Sequence, residues 1–463
     1  MTERELLEMH APVAREHAPV TSMSSGSAPR VPLGAADAPR VRVGKMASEL
    51  QGSSILRIAA QVRALIAKGE PVVNLTVGDF SPAEFPVPAA LVEFITEALR
   101  SGETNYPPST GVPQLRAAVA RFYEDRLGLR FGDAGILIAA GARPGIYSAY
   151  RVLVDPGDRV VFPVPSWNNP EYCHLVGAEA VPVPCDAATA FLPTARDLAP
   201  ALRHARLLVL NSPVNPTGAA FDADALRDIC DAVLEENARR EARGSDRPLF
   251  VLYDQVYWML TFGGLRHVHP VGLREEMARY TVYVDAISKS FAATGLRVGW
   301  VAGPDDVMRA AGDVLGHSGA WAPRAEQIAT ARMLSDSSLV DAYQTVMLTA
   351  VRQRLERLHV HLSAMRDEGL PVDVAEPAAT IYLGARFALK GLRTPDGAVL
   401  RDDEAVRAYL LQRAGFAAVP FSAFGVTGDS GWFRLSVGAV SVPQIDAVMP
   451  RLRTAISELV ATP

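Results

Sequence analysis

A chain of 463 residues with 49% hydrophobic and 21% charged side chains is too long for one simple core and has the balance of a folded, two-domain globular protein rather than a disordered one. Its formal charge of -5 gives no field that would recruit nucleic acid or an anionic membrane surface, which leaves a small molecule as the expected partner. Cys173, Cys185 and Cys230 lack metal-ligand spacing and sit in apolar or helical surroundings, so no disulfide framework is expected. The N-terminus lacks the basic-then-apolar pattern of a secretory signal and no apolar run approaches membrane-spanning length, so the cytoplasm is the expected compartment.

Residues 1–45 are rich in Ala, Pro, Ser and Arg without periodicity and are expected to be a disordered tail. The stretch "SILRIAAQVRALIAK" at 54–68 carries apolar residues at helical spacing, and "PVVNLTVGDFSP" then reads as a short strand entering a Gly/Pro turn. Residues 46–87 are therefore an ordered arm and part of a smaller domain.

From 88 to about 350, helical patterns alternate with short apolar runs: "GILIAAG", "RVVFPVPSW", "EAVPVPC", "RLLVLNSP", "PLFVLYDQ", "YTVYVDAIS" and "RVGWVAG". Such alternation predicts a large domain with a mainly parallel sheet covered by helices. Long helical patterns follow over 307–365, then a strand-like "ATIYLGARF", a helix over 404–413 and a final strand "WFRLSVG". Residues 351–463 are thus expected to form a small α/β domain.

In open α/β sheets ligands bind beyond the carboxyl ends of the strands, so the residues just after each apolar run carry the information. Gly141, Ala142 and Arg143 stand between a strand and a helix, where small residues let backbone N–H groups meet a phosphate. Trp167 ends the next run and offers a ring for stacking on a planar group. Asn215 lies in Asn-Pro-Thr-Gly, a turn that fixes its amide, and Asp254 follows four apolar residues, where a carboxylate is costly unless paired or functional, with Tyr257 three positions later. Lys289 and Arg297 follow the "YTVYVDAIS" run, and Arg434 sits among apolar neighbours in the late strand, suited to bidentate capture of a carboxylate.

Lysine usage sharpens this pattern. Besides Lys289 the chain has only Lys45, Lys68 and Lys390, each beside a glycine in turn-like polar surroundings, while arginine supplies the other cations. Arginine replaces lysine where only charge matters but cannot act as an amine nucleophile, so a lysine at an apolar strand end points to covalent chemistry.

These residues, in this order from about residue 54 to the C-terminus, resemble the fold-type I pyridoxal-phosphate (PLP) enzymes, specifically the class I/II aminotransferases related to aspartate aminotransferase. The resemblance implies a three-layer α/β large domain with a mainly parallel mixed sheet, and a smaller α/β domain built from both chain ends. It implies pyridoxal 5'-phosphate held as a Schiff base on Lys289, with Asp254 facing the pyridine nitrogen, Tyr257 and Asn215 at the phenolate oxygen and Trp167 on the ring. Gly141, Ala142, Arg143, Ser288 and Arg297 then belong to the phosphate cup, and Tyr106 to the phosphate site of a neighbouring subunit in a homodimer. Gly78, Trp167, Asn215 and Arg434 would meet the substrate, an amino or 2-keto acid exchanging its α-amino group.

Two departures stand out: Ala286 replaces a serine that many relatives use for phosphate, and Arg143 occupies a loop usually filled by smaller or amide side chains. No second arginine for a dicarboxylate side chain matches securely, with Arg143 and Arg324 as candidates. Elimination, replacement or carbon–carbon bond formation on the same scaffold is the alternative chemistry. A PLP-sensing regulator is disfavoured by the absence of a helix-turn-helix pattern or basic recognition helix. No metal site is expected: His267 and His269, or His359 and His361, lack convincing ligand geometry.

Overall fold

The computed structural model of the protein describes residues 43–50 and 52–461. Residues 1–42 of the expected tail lie outside the described residues. The first long helix, Ser54–Ala67, starts where the Ser53 hydroxyl accepts from the Leu56 N–H, and buries Ile58, Ala59 and Val62. Capping satisfies one of the amides that a helix start leaves unpaired.

After the two-residue strand β1 (Val73–Asn74), seven strands build the main sheet: β2 (Ile136–Ala139), β3 (Arg159–Val164), β4 (Glu179–Pro184), β5 (Ala205–Asn211), β6 (Phe250–Asp254), β7 (Thr281–Ala286) and β8 (Gly299–Ala302). Their order is β2-β8-β7-β6-β5-β3-β4. Strands β4, β3, β5, β6 and β7 pair in parallel, and β8 runs antiparallel to both β7 and β2. The mixed sheet is therefore mainly parallel, with one reversed strand that apolar runs alone do not reveal.

Side chains alternate between the two faces of each strand. Leu137, Phe162, Val209, Leu252, Val284 and Val301 pack on one face with the helices Ala142–Leu153 and Asp305–Ser318. Ile138, Val161, Leu208, Val251, Tyr283 and Trp300 pack on the other with Pro113–Leu127 and Ala223–Ala242. Both faces are covered, as a parallel sheet requires.

A second, antiparallel sheet comprises β9 (Val372–Val374), β10 (Tyr382–Phe387), β12 (Val419–Pro420) and β13 (Trp432–Ser436) in the order β12-β13-β10-β9, while β11 (Phe416–Ala417) pairs in parallel with β1. Its core joins Val73 and Leu75 from the N-terminal side to Leu355, Leu383, Phe433 and Ile445. Within the helix Ser337–Asp367, Val340 packs into the core of the large sheet and Met347 into that of the small one. We propose that the boundary between the large and small domains, expected at 350/351, falls within this helix. The run "WFRLSVG" forms the last strand, β13, and one more helix follows it. Ser441 and Gln444 form a capping box that starts the helix Val442–Ser457 despite Pro450 inside it.

Beneath the carboxyl end of β7 lies a buried polar knot. Asp285, 1% exposed, accepts on Oδ2 from Tyr123 Oη (3.0 Å) and Trp258 Nε1 (2.8 Å) and on Oδ1 from the Ala286 N–H (2.7 Å). Tyr123 Oη in turn accepts from Trp300 Nε1 at 2.8 Å, so the knot ties β7 to β8. Burial, opposed by these donors, pushes the Asp285 carboxyl up to about 7. Its contribution to stability is thus full below the ordinary carboxyl range and lost as pH rises through about 7. Asp285→Ala removes the acceptor of two buried side-chain donors, Tyr123 Oη and Trp258 Nε1, and should cost about 2–4 kcal/mol. Urea denaturation should show a larger loss at pH 5 than at pH 7.5.

Candidate functional site

The carboxyl ends of β5, β6 and β7 open into a cavity of about 570 Å³, closed on its other side by Gly78, Tyr382 and Arg434. Asn211 ends β5, and its Nδ2 donates to the Asp254 carbonyl (2.9 Å) while its Oδ1 accepts from the Asn215 N–H (2.8 Å). One side chain therefore registers two of the expected site residues. Asp254 ends β6, and its Oδ1 accepts from the Val256 N–H at 3.1 Å. It has no ion-pair partner among the described residues, and burial pushes its carboxyl up to about 6. A carboxylate so placed calls for a cation.

Lys289 follows β7 in the one-turn helix Ile287–Ser290 and donates from Nζ to the Gly78 carbonyl at 2.5 Å. Removal from water lowers its amine to about 8; the Asp79 charge opposes this, and Arg434, Arg143 and Arg297 add to it. An amine near neutrality is available as a nucleophile and base without a strong base beside it.

The N-terminus of the helix Ala142–Leu153 forms an anion cradle. Its N-cap, Gly141, has φ +89, and any side chain there would collide with the Arg297 guanidinium. Arg297 is fixed by bonds from Nη2 to the Ala140 carbonyl (2.9 Å) and from Nη1 to the Thr294 carbonyl (2.7 Å). Ala142, Arg143, Ser288 and Arg297 all line the cavity beside Lys289. Helix amides, a hydroxyl and two guanidinium groups make a site for a dianion. Ala286 is buried in the core and offers no hydroxyl to it.

Across the cavity Arg434, 2% exposed, donates from Nη1 to Asn215 Oδ1 (3.0 Å) and from Nη2 to the Thr76 carbonyl (2.6 Å). Its Nε is buried without a partner, so the fork retains capacity for a carboxylate. The guanidinium lies 4.5 Å over the Tyr382 ring, and Tyr382 Oη bonds Tyr257 Oη at 2.8 Å. A side chain at Gly78 would strike the Tyr382 hydroxyl, which is why this turn approaches so closely.

Most of the residues expected from the sequence thus meet at one cavity. Trp167 lines it too, with the Arg143 guanidinium 4.4 Å over its ring. Tyr106 does not line it: it is 82% exposed and meets Trp321 edge-on at 5.4 Å. Arg324 is bonded to Glu103 away from the cavity, which leaves Arg143 as the candidate for a substrate side chain. Sequence reasoning passed over Asn211, Tyr382, Asp79 and Thr294, although "LNSP", "IYLG" and "VGDF" place three of them at strand ends or turns.

His267 bonds Gln255 (3.1 Å) and His269 bonds the Leu127 carbonyl (2.9 Å), while His359 and His361 pair with Glu376 and Asp446 separately. Among the described residues no group of three or more His, Cys, Asp or Glu is placed to hold a metal ion. The residues do fit pyridoxal phosphate: an amine, an unpaired carboxylate, a ring-stacking indole and a dianion cradle share one cavity. Also among the described residues, no helix is long and apolar enough to cross a membrane.

Residues 70–452 match the family described as Aminotransferase class I and II. An aspartate aminotransferase of Rhizobium meliloti (strain 1021) is 30% identical over 89% of this chain and 95% of its own. A probable aspartate/prephenate aminotransferase of Aquifex aeolicus is 28% identical over 89% of this chain and 98% of its own. The crystal structure of the aspartate aminotransferase from Rhizobium meliloti superimposes with a TM-score of 0.81 at 28% identity, covering 91% of this chain and all of that one.

The lowered amine gives a direct check. In cofactor-free protein, lysine-directed labelling followed by peptide mass spectrometry should find Lys289 half reactive near pH 8. Lys390, whose ammonium is held up by Asp429, should react only at higher pH.

Proposed function

This chain belongs to the class I and II aminotransferases, PLP-dependent enzymes that exchange amino groups between amino acids and 2-keto acids, and we propose that it uses Lys289 for this transfer on dicarboxylic substrates of the aspartate type. The observation that carries the reading is the meeting, in one cavity, of a lowered lysine amine, an unpaired Asp254 carboxylate and an Arg434 fork with a free buried Nε.

Bound in this cavity, the cofactor supplies an electron sink for the pair released when the substrate Cα–H bond breaks. Lys289 Nζ would anchor it, and the lysine amine would serve as the base that takes the substrate Cα proton. Asp254 holds a proton on the ring nitrogen, because opposite charges at close range favour the ionised pair. Tyr257 and the Asn215 amide would hold its phenolate oxygen, and Trp167 would pack on its ring. Ser288, Arg297 and the amides at Gly141 and Ala142 take the phosphate. Arg434 binds the substrate α-carboxylate beside Asn215 and the Gly78 turn, which orients Cα toward Nζ.

Arg143 supports the acidic substrate class, since its guanidinium lies in the cavity on Trp167 with no carboxylate bonded to it among the described residues. The names of the aspartate aminotransferases it resembles support the same class. We also propose a homodimer, supported by the bare Tyr106 ring at 82% exposure, which would complete the phosphate site of a second copy. A cytoplasmic location accords with the same reading. The scaffold's alternative chemistries would return the cofactor unchanged, whereas amino transfer leaves it carrying the amino group beside stoichiometric keto acid.

Lys289→Ala should abolish multiple-turnover transamination and the visible absorbance of lysine-bound cofactor; turnover persisting in that variant overturns the assignment. Arg143→Leu should lower kcat/KM for aspartate or glutamate roughly 10- to 100-fold while changing it little for alanine, the size expected for one lost charge-assisted contact. Equal losses on both donors would place Arg143 at the phosphate instead.

A further inference from the structure

The turn at 76–81 is strapped between two parts of the protein. On one side β13 and its sequel hold it: Arg434 Nη2 bonds the Thr76 carbonyl (2.6 Å), Ser436 Oγ the Val77 carbonyl (2.6 Å), and the Ser81 N–H the Gly438 carbonyl (2.9 Å). On the other side it meets the stretch after β7. Lys289 Nζ bonds the Gly78 carbonyl at 2.5 Å and lies 5.8 Å from the Phe80 ring centroid, and Thr294 Oγ1 donates to Asp79 Oδ1 at 2.5 Å. The same Asp79 oxygen accepts from the Phe80 N–H at 2.8 Å, so the carboxylate fixes its own turn while Thr294 ties it to the lysine's side.

The charges around the amine are lopsided. Arg434, Arg143 and Arg297 face Lys289 from three different elements, and Asp254, Tyr257 and Tyr382 line the same cavity. Among the charges that act most on Nζ, Asp79 is the carboxylate. None of the roles given above uses it.

We propose that Asp79, clasped by Thr294, is a positioning residue for Lys289: it holds the Gly78 carbonyl against the amine and sets a negative charge opposite the three arginines. A carbonyl acceptor and a nearby anion both favour a protonated nitrogen, while burial and the guanidinium groups favour a neutral one. Loss of the Asp79 charge leaves the second influence less opposed, so the nitrogen should release its proton at lower pH. Asp79 is exposed, so its effect should be modest and should shrink in high salt.

This inference rests on Lys289 carrying the cofactor. The test is a pH titration of the visible absorbance of purified holoenzyme, which reads protonation at Nζ, alongside the pH profile of kcat. Asp79→Asn should move the midpoint down by on the order of half a unit, about threefold in the protonation ratio, with the difference shrinking in 0.5 M salt. Thr294→Val should move it the same way, and Thr294→Ser should restore it. Asp79→Asn protein with full absorbance and an unmoved midpoint overturns the proposal. If Asp79→Asn does not fold, an unmoved midpoint in Thr294→Val does so. Loss of this absorbance in Lys289→Ala upholds the underlying reading whichever way Asp79 behaves, and its persistence overturns that reading alone.

Discussion

The desolvation of one amine organises this site. Lys289 is withdrawn from water among three guanidinium groups, which lowers its proton affinity toward neutrality, and such a group persists only where other atoms replace the lost solvent. The Gly78 carbonyl does so directly, and Asp79 does so through its charge. Both belong to a turn held by β13, so a lysine that follows a strand of the large sheet meets a segment fastened to the small one.

The same division of labour recurs around the cavity. The large sheet supplies groups suited to an immobile planar dianion: a helix N-terminus at Gly141, Arg297 wrapped across it, and Asp254 at a strand end. The small sheet supplies Arg434 and Tyr382, which line the opposite side of the same cavity. Asn215 joins the two, receiving Arg434 on its Oδ1 while Asn211 holds its backbone.

Much of this was legible in residues. Asp254 after four apolar positions, Lys289 in a chain nearly without lysine, and Arg434 inside an apolar strand each break a local rule, and each lies at the cavity. Residues that obey local rules were not legible. Asp79 and Thr294 are ordinary turn residues, Asn211 an ordinary strand end and Tyr382 an ordinary strand aromatic, and their importance lies in partners more than a hundred positions away or across a crossover. The reversal of β8 and the closing helix were hidden for similar reasons: strand direction leaves no periodicity, and Pro450 interrupts the helical pattern.

The sequence by itself determined the alternation of strands and helices, the covered parallel sheet and the chemical types at its strand ends, because these follow from side-chain periodicity and the cost of burying charge. Only the tertiary structure decided which of those groups share a cavity. It separated Arg143 from Arg324, left Tyr106 on the outer surface and set Asp79 on the lysine's side, because charges act through space and chain order does not fix distance.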